Sequence, residues 1–331
     1  MSTSSLGLSI ESSELERRVR SRLADIEGEL ARSVESDVDF INEAAGHLLA
    51  AGGKRFRPLL VVLAAEFGDG QAAGVIPSAL VVELTHLATL YHDDVMDQAD
   101  LRRGAPSANA RWDNCVAILI GDFLFARASA IVADLGPDCV RIQAQTFARL
   151  VQGQIRETVG PREGEDPVAH YLSVVADKTG SLIATSARFG ARLSGVCAEM
   201  EQTLTDFGEQ IGTAFQLSDD VIDIAGESAV LGKTPGTDLR EGIPTLPTLL
   251  VRQARREGDA RLLELLSRPL ANDAEHAETL RLLRGNPALE QARVQVQRRT
   301  DAARALAESL PDVPARQALF ELCDLVTTRT S

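Results

Sequence analysis

Two long apolar stretches of this chain run at helical spacing, and each ends on the same acidic pattern, Asp-Asp-x-x-Asp. The first spans Pro77 to Asp97 and carries almost no charge until Asp93, Asp94 and Asp97 close it. The second starts near Glu199 and closes on Asp219, Asp220 and Asp223. In a helix, positions i and i+4 share a face and i+1 lies beside them, so each triplet crowds three carboxylates together. Both triplets sit at helix C-terminal ends, where the macrodipole disfavours negative charge. A solvated helix end accounts for one such triplet, but not readily for two, each preceded by an apolar helix. A cation resolves the repulsion.

The rest of the chain is helical in period as well. Amphipathic segments are expected over Ser13 to Arg32 and Asp37 to Ala51, the latter stopped by Gly52-Gly53. Helices are further expected over Pro58 to Phe67, Asn109 to Asp134, Pro137 to Thr158, Val168 to Ala176, Gly180 to Leu193 and Glu199 to Ile224. Gly226 to Gly242 reads as an ordered functional loop, and shorter, more charged helices follow from Ile243. No segment of useful length alternates at strand period, and no linker or strong repeat is visible. Apolar residues are plentiful and aromatics scarce (4 %), which suits packed helices. The expectation is all-α: a flexible tail over residues 1–12 and one domain over 13–331, built as a bundle with buried central helices.

The formal charge of −14 argues against a nucleic-acid partner. Cys115, Cys139, Cys197 and Cys323 form no CxxC pair, and read as reduced, buried thiols in a cytoplasmic protein. Met1 to Glu11 has neither the basic nor the apolar region of a signal peptide. No run of 18 apolar residues occurs, so no membrane span is expected.

Magnesium suits the acidic triplets, because it takes few carboxylates and completes its shell with substrate phosphates. Two facing triplets would hold ions on a diphosphate between them. Gly52-Gly53-Lys54-Arg55-Phe56-Arg57-Pro58 sets three cations just before a helix, where glycines permit close approach and guanidinium forks match phosphate oxygens. Arg102-Arg103-Gly104 follows the first triplet closely. Lys178-Thr179 and Lys233 are weaker signals, since a single Lys is usually surface. A di-metal oxygenase bundle would need two Glu-x-x-His motifs, and only Glu83-Leu84-Thr85-His86 qualifies.

Taken together, GGKRFRP, HLATLYHDDVMDQADLRRG, GDFLFARA, ADKTGSL, FQLSDDVID and GKTPGTDLREG resemble the polyprenyl synthetase family of trans-isoprenyl diphosphate synthases over nearly the whole chain. The resemblance implies antiparallel helices around a deep central cavity, usually in a homodimer. It implies that Asp93, Asp94, Asp97, Asp219, Asp220 and Asp223 bind magnesium, three ions with diphosphate present. Lys54, Arg57 and His86 would bind isopentenyl diphosphate, with Arg103 beside them. Arg102, Lys178 and Lys233 would contact the allylic diphosphate, and Thr179 and Gln216 would lie near the reacting carbons. The implied reaction ionises the allylic diphosphate and joins the cation to isopentenyl diphosphate, with only transient membrane contact for product release. One departure is Thr237, which stands where the family often has a second Lys.

Product length would be read on the helix before Asp93. Ala88 and Thr89 stand where short-chain members often carry an aromatic floor, and Thr85, Leu84, Val82 and Val81 follow one and two turns deeper. Each turn rises roughly 5.4 Å, about one extended isoprene unit, which implies about six or more units with a floor from another helix, at Phe123 or Phe125. The competing readings are a geranylgeranyl or other short-chain synthase, a class I terpene cyclase, which has no need of an isopentenyl site, and an inactive partner subunit, which would have lost aspartates.

Overall fold

The computed structural model describes residues 12–226 and 235–329. The described chain is helical almost throughout, as the periodicity predicts. Contacts gather into two compact units, each assembled from three stretches of sequence: 1–148, 182–208 and 307–321 in the first, 149–181, 209–306 and 322–331 in the second.

In the first unit, α1 (Ser13–Ser33) is started by the Ser12 side chain, which accepts from the Leu15 amide at 3.3 Å. It buries Leu15, Val19, Leu23, Ile26 and Leu30, one face at helical spacing. After α2 (Asp39–Ala50) comes α3 (Phe56–Ala65), which has no polar face except at Arg57 and is otherwise buried all round. Next, α4 (Val75–Met96) ends on the first triplet, with Asp97 as its C-cap. Its neighbours are α1, α3 and α6 (Asn114–Asp134). Small residues set the close approaches: a Cβ on Gly121 of α6 would fall 2.2 Å from His92 Nε2. On Gly190 it would fall 2.1 Å from the Val61 carbonyl oxygen.

Between α4 and α6 lie a hairpin of two-residue strands, β1 (Leu101–Arg102) and β2 (Ala105–Pro106), and the short α5 (Ala108–Arg111). The hairpin is too short to leave a period-two pattern in the sequence. Its turn is Arg103-Gly104, both left-handed at φ 54° and 78°.

One described helix, α6, comes near the length and apolarity of a membrane span. Over 21 residues with a mean hydropathy of 2.0 in its most apolar window, it is long and apolar enough to cross a membrane by length and composition, although it packs on α4. Asp122 and Arg127 break the apolar run, which is why a search for uninterrupted apolar residues passes over it. Cys139 and Cys323 are buried as expected, but Cys115 and Cys197 are exposed; all four are free thiols.

The helix α7 (Pro137–Val159) is followed by α8 (Pro167–Val175), a π-helical turn over Ala176–Gly180, and α9 (Ser181–Leu193). The two helices expected over Val168 to Ala176 and Gly180 to Leu193 are therefore joined by a π turn rather than a break. The second triplet lies near the end of α10 (Ala198–Ala225). Beyond it come α11 (Thr237–Glu241), α12 (Leu246–Ala254), α13 (Ala260–Leu265), α14 (Asp273–Arg284), α15 (Pro287–Glu308) and α16 (Pro314–Thr328). The tail expected over residues 1–12 lies outside the described residues up to Glu11, and so does Lys233.

Candidate active site

In the first unit, the basic motif and the first triplet are sorted by what each side chain touches. Arg55 is 5 % exposed and spends its guanidinium on two acids, Glu27 and Glu83, the latter at 2.9 Å. Arg57, two residues on, is half-buried, and its Nε has no hydrogen-bond partner among the described residues. Burial, with Arg103 adding repulsion and Glu83 opposing it, brings its pKa down to about 10. His86 is held well below its usual pKa by burial first, then by Arg57, Arg103, Arg55 and Arg102. Arg103 donates to the carbonyls of Leu48, at 2.8 Å, and Gly52. Burial lowers its pKa too, although Glu83 opposes the shift. Lys54 is exposed. The result is a nest of arginine cations around His86, in which Glu83, already engaged by Arg55, is the neighbouring acid. Such a nest is electrostatically costly until an anion enters it.

The three acids of the first triplet differ. Asp94 is fully buried and accepts from Arg102 Nε at 2.6 Å. Burial raises its pKa, with Arg102 opposing, and its Oδ2 has no partner among the described residues. Asp93 is half-buried, and the Asp97 side chain is 41 % exposed, so these two present their oxygens more openly. Arg102 is thus tied to the middle aspartate in this structure.

In the second unit, the π turn carries Lys178 and Thr179. Gly153 permits this, since a Cβ there would meet the Lys178 amide nitrogen at 2.8 Å. π turns that interrupt helices are frequent at functional sites. Lys178 Nζ pairs with Glu157 at 2.6 Å, and Thr179 Oγ1 donates to Gln216 Oε1 at 3.2 Å. Two residues expected near reacting carbons are therefore brought together.

The middle acid is again the buried one. Asp220 is 3 % exposed and accepts from the Tyr171 hydroxyl and, at 3.3 Å, from the Leu246 amide. Burial outweighs these bonds and pushes its pKa up to about 7. Asp223 accepts from the Thr237 amide at 3.3 Å, so the residue that departs from the family pattern contributes a backbone contact. Asp238 joins the group, its pKa pushed up to about 7 by burial and by Asp223 and Asp220. Asp219 is 42 % exposed and pairs with Arg329 at 2.6 Å.

Tyr171, Asp238 and Arg329 are the site residues sequence reasoning missed. An Asp immediately after the GKTPGT string was a usable signal for Asp238; Tyr171 and Arg329 left none.

Among the described residues no three His, Cys, Asp or Glu side chains converge closely enough to enclose a metal ion. In each triplet one acid is buried, while Asp97 and Asp219 keep open oxygens. That donor set fits a hard cation taking one or two carboxylates and finding its remaining ligands on a substrate.

On α4, Ala88, Thr85, Leu84, Val81 and Val82 are fully or almost fully buried, and Thr89 is half-buried. Thr85 Oγ1 accepts from Gln143 Nε2 at 2.6 Å. Phe125 stacks on Phe147 at 4.3 Å and lies 5.8 Å from the His92 ring, so it sits near the level of the first triplet rather than several turns below it. Phe123 lies under the Arg127 guanidinium.

An all-α fold with paired aspartate triplets, a cation nest and a π turn bearing Lys-Thr defines the class of isoprenoid-synthase-type proteins. The polyprenyl synthetase family model matches residues 38–283, and the chain belongs to that family. It is 48 % identical over 312 residues to nonaprenyl diphosphate synthase of Mycobacterium tuberculosis, covering 94 % of this chain and 93 % of the relative. It is 38 % identical over 303 residues to heptaprenyl diphosphate synthase component 2 of Geobacillus stearothermophilus, covering 91 % and 93 %. A crystal structure of geranylgeranyl pyrophosphate synthase from Corynebacterium glutamicum, complexed with calcium and isoprenyl diphosphate, superposes with a TM-score of 0.88 at 43 % identity, covering 98 % of this chain and 99 % of that one.

Proposed function

We propose that this protein is a prenyltransferase that condenses isopentenyl diphosphate head-to-tail with an allylic diphosphate to give an all-trans polyprenyl diphosphate. The nest of Arg57, Arg103 and His86 carries the reading. A terpene cyclase needs diphosphate ionisation but no second diphosphate site, so a half-buried arginine nest beside the first triplet favours elongation. Retention of all six triplet aspartates speaks against an inactive partner subunit.

The outer acids, Asp93 and Asp97 in the first triplet and Asp219 and Asp223 in the second, are the proposed metal holders. Asp94 and Asp220 hold Arg102 and Tyr171 in place. Magnesium, as three ions, would neutralise the leaving diphosphate. Arg57, Arg103, His86 and Lys54 bind the isopentenyl diphosphate and fix its double bond for attack, and proximity supplies much of the acceleration. Lys178 leaves Glu157 for the allylic diphosphate. Thr179 and Gln216, hydrogen-bonded to one another, line the reacting carbons. The proton lost at the end goes to the departing pyrophosphate.

Product length is proposed as about six or more units on the pitch argument, supported by the small buried residues Ala88 and Thr85 and by the nonaprenyl and heptaprenyl relatives. A shorter product is the second reading. The Gln143–Thr85 hydrogen bond favours it, because Thr85 lies eight residues, about 12 Å of helix, below Asp93. Exposed Ile118 and Leu119 on α6 (44 % and 59 %) support a homodimer, and exposed free thiols at Cys115 and Cys197 suit a reducing cytoplasm. Incorporation of labelled isopentenyl diphosphate in the presence of farnesyl diphosphate tests the reading. It is expected with magnesium and abolished by chelator; no incorporation under any magnesium concentration refutes it.

A further inference from the structure

The hairpin that carries Arg102 and Arg103 cannot hold its own shape. Each strand has two residues, far fewer than an isolated hairpin needs. Its turn places Arg103, a residue with a Cβ, in the left-handed region at φ 54°, which costs about 1 kcal/mol or more. Arg102 and Arg103 are nonetheless aimed at definite partners, so something outside the hairpin fixes it.

Ser107 closes its base, the amide donating to the Asp100 carbonyl at 2.9 Å and the hydroxyl to the Ala99 carbonyl; a second support comes from one turn of α2. His47 Nε2 lies 2.7 Å from the carbonyl of Pro106, the last residue of the hairpin. Its other nitrogen, Nδ1, lies 3.2 Å from the Arg111 guanidinium. Arg111 can only donate and the Pro106 carbonyl can only accept, so one neutral tautomer satisfies both: Nε2–H donates and Nδ1 accepts. Arg111 also donates to Glu43, one turn back on α2, and lies 4.6 Å over the ring of Trp112. Trp112 in turn packs edge-on against His47 at 5.2 Å and Phe40 at 6.0 Å. The same α2 segment receives Arg103 at the Leu48 carbonyl and the Tyr91 hydroxyl of α4 at the Ala44 carbonyl, at 2.5 Å. Helix α2 therefore ties the aspartate helix and the arginine hairpin to one frame, and His47 with Arg111 is the clamp on the hairpin's outgoing strand.

We propose that His47 and Arg111 are positioning residues for diphosphate binding: by clamping Pro106 and Trp112 to α2 they hold Arg102 and Arg103 in their binding geometry. Among the described residues neither hydrogen-bonds the Arg102 or Arg103 side chain, and neither belongs to the motifs that define the site. The inference rests on the functional reading above, which puts Arg103 on the isopentenyl diphosphate, and on the allylic-diphosphate contact that the family resemblance implies for Arg102.

The experiment compares wild-type protein with His47→Ala and His47→Gln. Glutamine keeps a donor near the Nε2 position. Affinity for inorganic pyrophosphate with magnesium is measured by calorimetry, kcat and KM are measured with isopentenyl diphosphate, and the emission of Trp112, the only tryptophan, reports the clamp. Loss of a hydrogen bond that orients charged ligands is expected to weaken pyrophosphate binding and raise KM by about tenfold. In that variant kcat stays within about threefold, and His47→Gln recovers most of the loss. Unchanged pyrophosphate affinity in His47→Ala, with Trp112 emission shifted, overturns the inference alone. A fall in kcat together with general loss of folded protein that His47→Gln does not repair also overturns it, since it marks a merely structural role. Wild-type protein that bound no pyrophosphate would overturn the functional reading and this inference together.

Discussion

Arg55 and Arg57 stand two residues apart in one basic motif, and exchanging each for alanine should break different things. Arg55 is a buried counter-ion: its side chain is 4 % exposed, and it faces Glu83, 2 % exposed, and Glu27, 28 % exposed. Removing it strands a buried carboxylate, a change that costs about 3–5 kcal/mol. At about 2.1 cal/mol/K of unfolding entropy per residue, this 331-residue chain has a ΔS near 0.7 kcal/mol/K, so a loss of about 4 kcal/mol lowers Tm by about 6 °C. Arg55→Ala/Glu83→Gln should recover part of that, because the neutral amide is cheaper to bury. Arg57→Ala removes a cation whose burial already lowers its pKa to about 10, so it lifts an electrostatic cost rather than adding one. Its Tm should change by less than about 2 °C, within the usual range for substitutions that strand no partner. Its KM for isopentenyl diphosphate should rise by about 100-fold, the loss of one charge-assisted phosphate contact of about 3 kcal/mol. Calorimetric unfolding and steady-state kinetics on the three variants decide. Equal Tm losses in Arg55→Ala and Arg57→Ala, or an unaltered KM in Arg57→Ala, would refute the division of labour.

Two further outcomes follow from the same geometry. Ala88→Phe should shorten the product, read by mass spectrometry, because it sets a ring on the buried face of α4 little more than one turn below Asp93; an unchanged product distribution removes Ala88 from the tunnel. His86 is neutral in the folded state, because burial and its arginine neighbours hold its pKa well below 6.5, while the unfolded chain takes up a proton near that value. Its contribution to stability is thus complete above pH 6.5 and is lost as pH falls through 6.5 towards the depressed folded pKa. Tm should fall between pH 7.5 and 5.5, and less steeply in His86→Gln; identical slopes in the two proteins contradict the assignment.

Much of this was legible in the residues alone. The apolar stretch ending at Asp97 is α4, found over Val75–Met96 with Asp97 as its cap, because helical period and a crowded acidic end are local signals. What was not legible depends on partners far along the chain. Arg55 and Arg57 look alike in GGKRFRP, and only Glu27 and Glu83, each 28 residues from Arg55, separate the internally paired cation from the one proposed to bind substrate. Asp94 and Asp220 read as equal members of their triplets, yet burial against Arg102 and Tyr171 sets them apart from their neighbours. Lys178-Thr179 is a weak signal in sequence because the π turn that presents both residues has no residue signature of its own. Arg329 shows the limit most plainly, since nothing near it in sequence announces a pairing with Asp219, 110 residues away.

The central claim is head-to-tail elongation, and the product series tests it most directly. Purified protein incubated with farnesyl diphosphate, isopentenyl diphosphate and magnesium should yield a ladder of all-trans diphosphates, each longer by one isoprene unit, accumulating at about six or more units. A cyclised hydrocarbon from farnesyl diphosphate, with no isopentenyl diphosphate consumed, would contradict it.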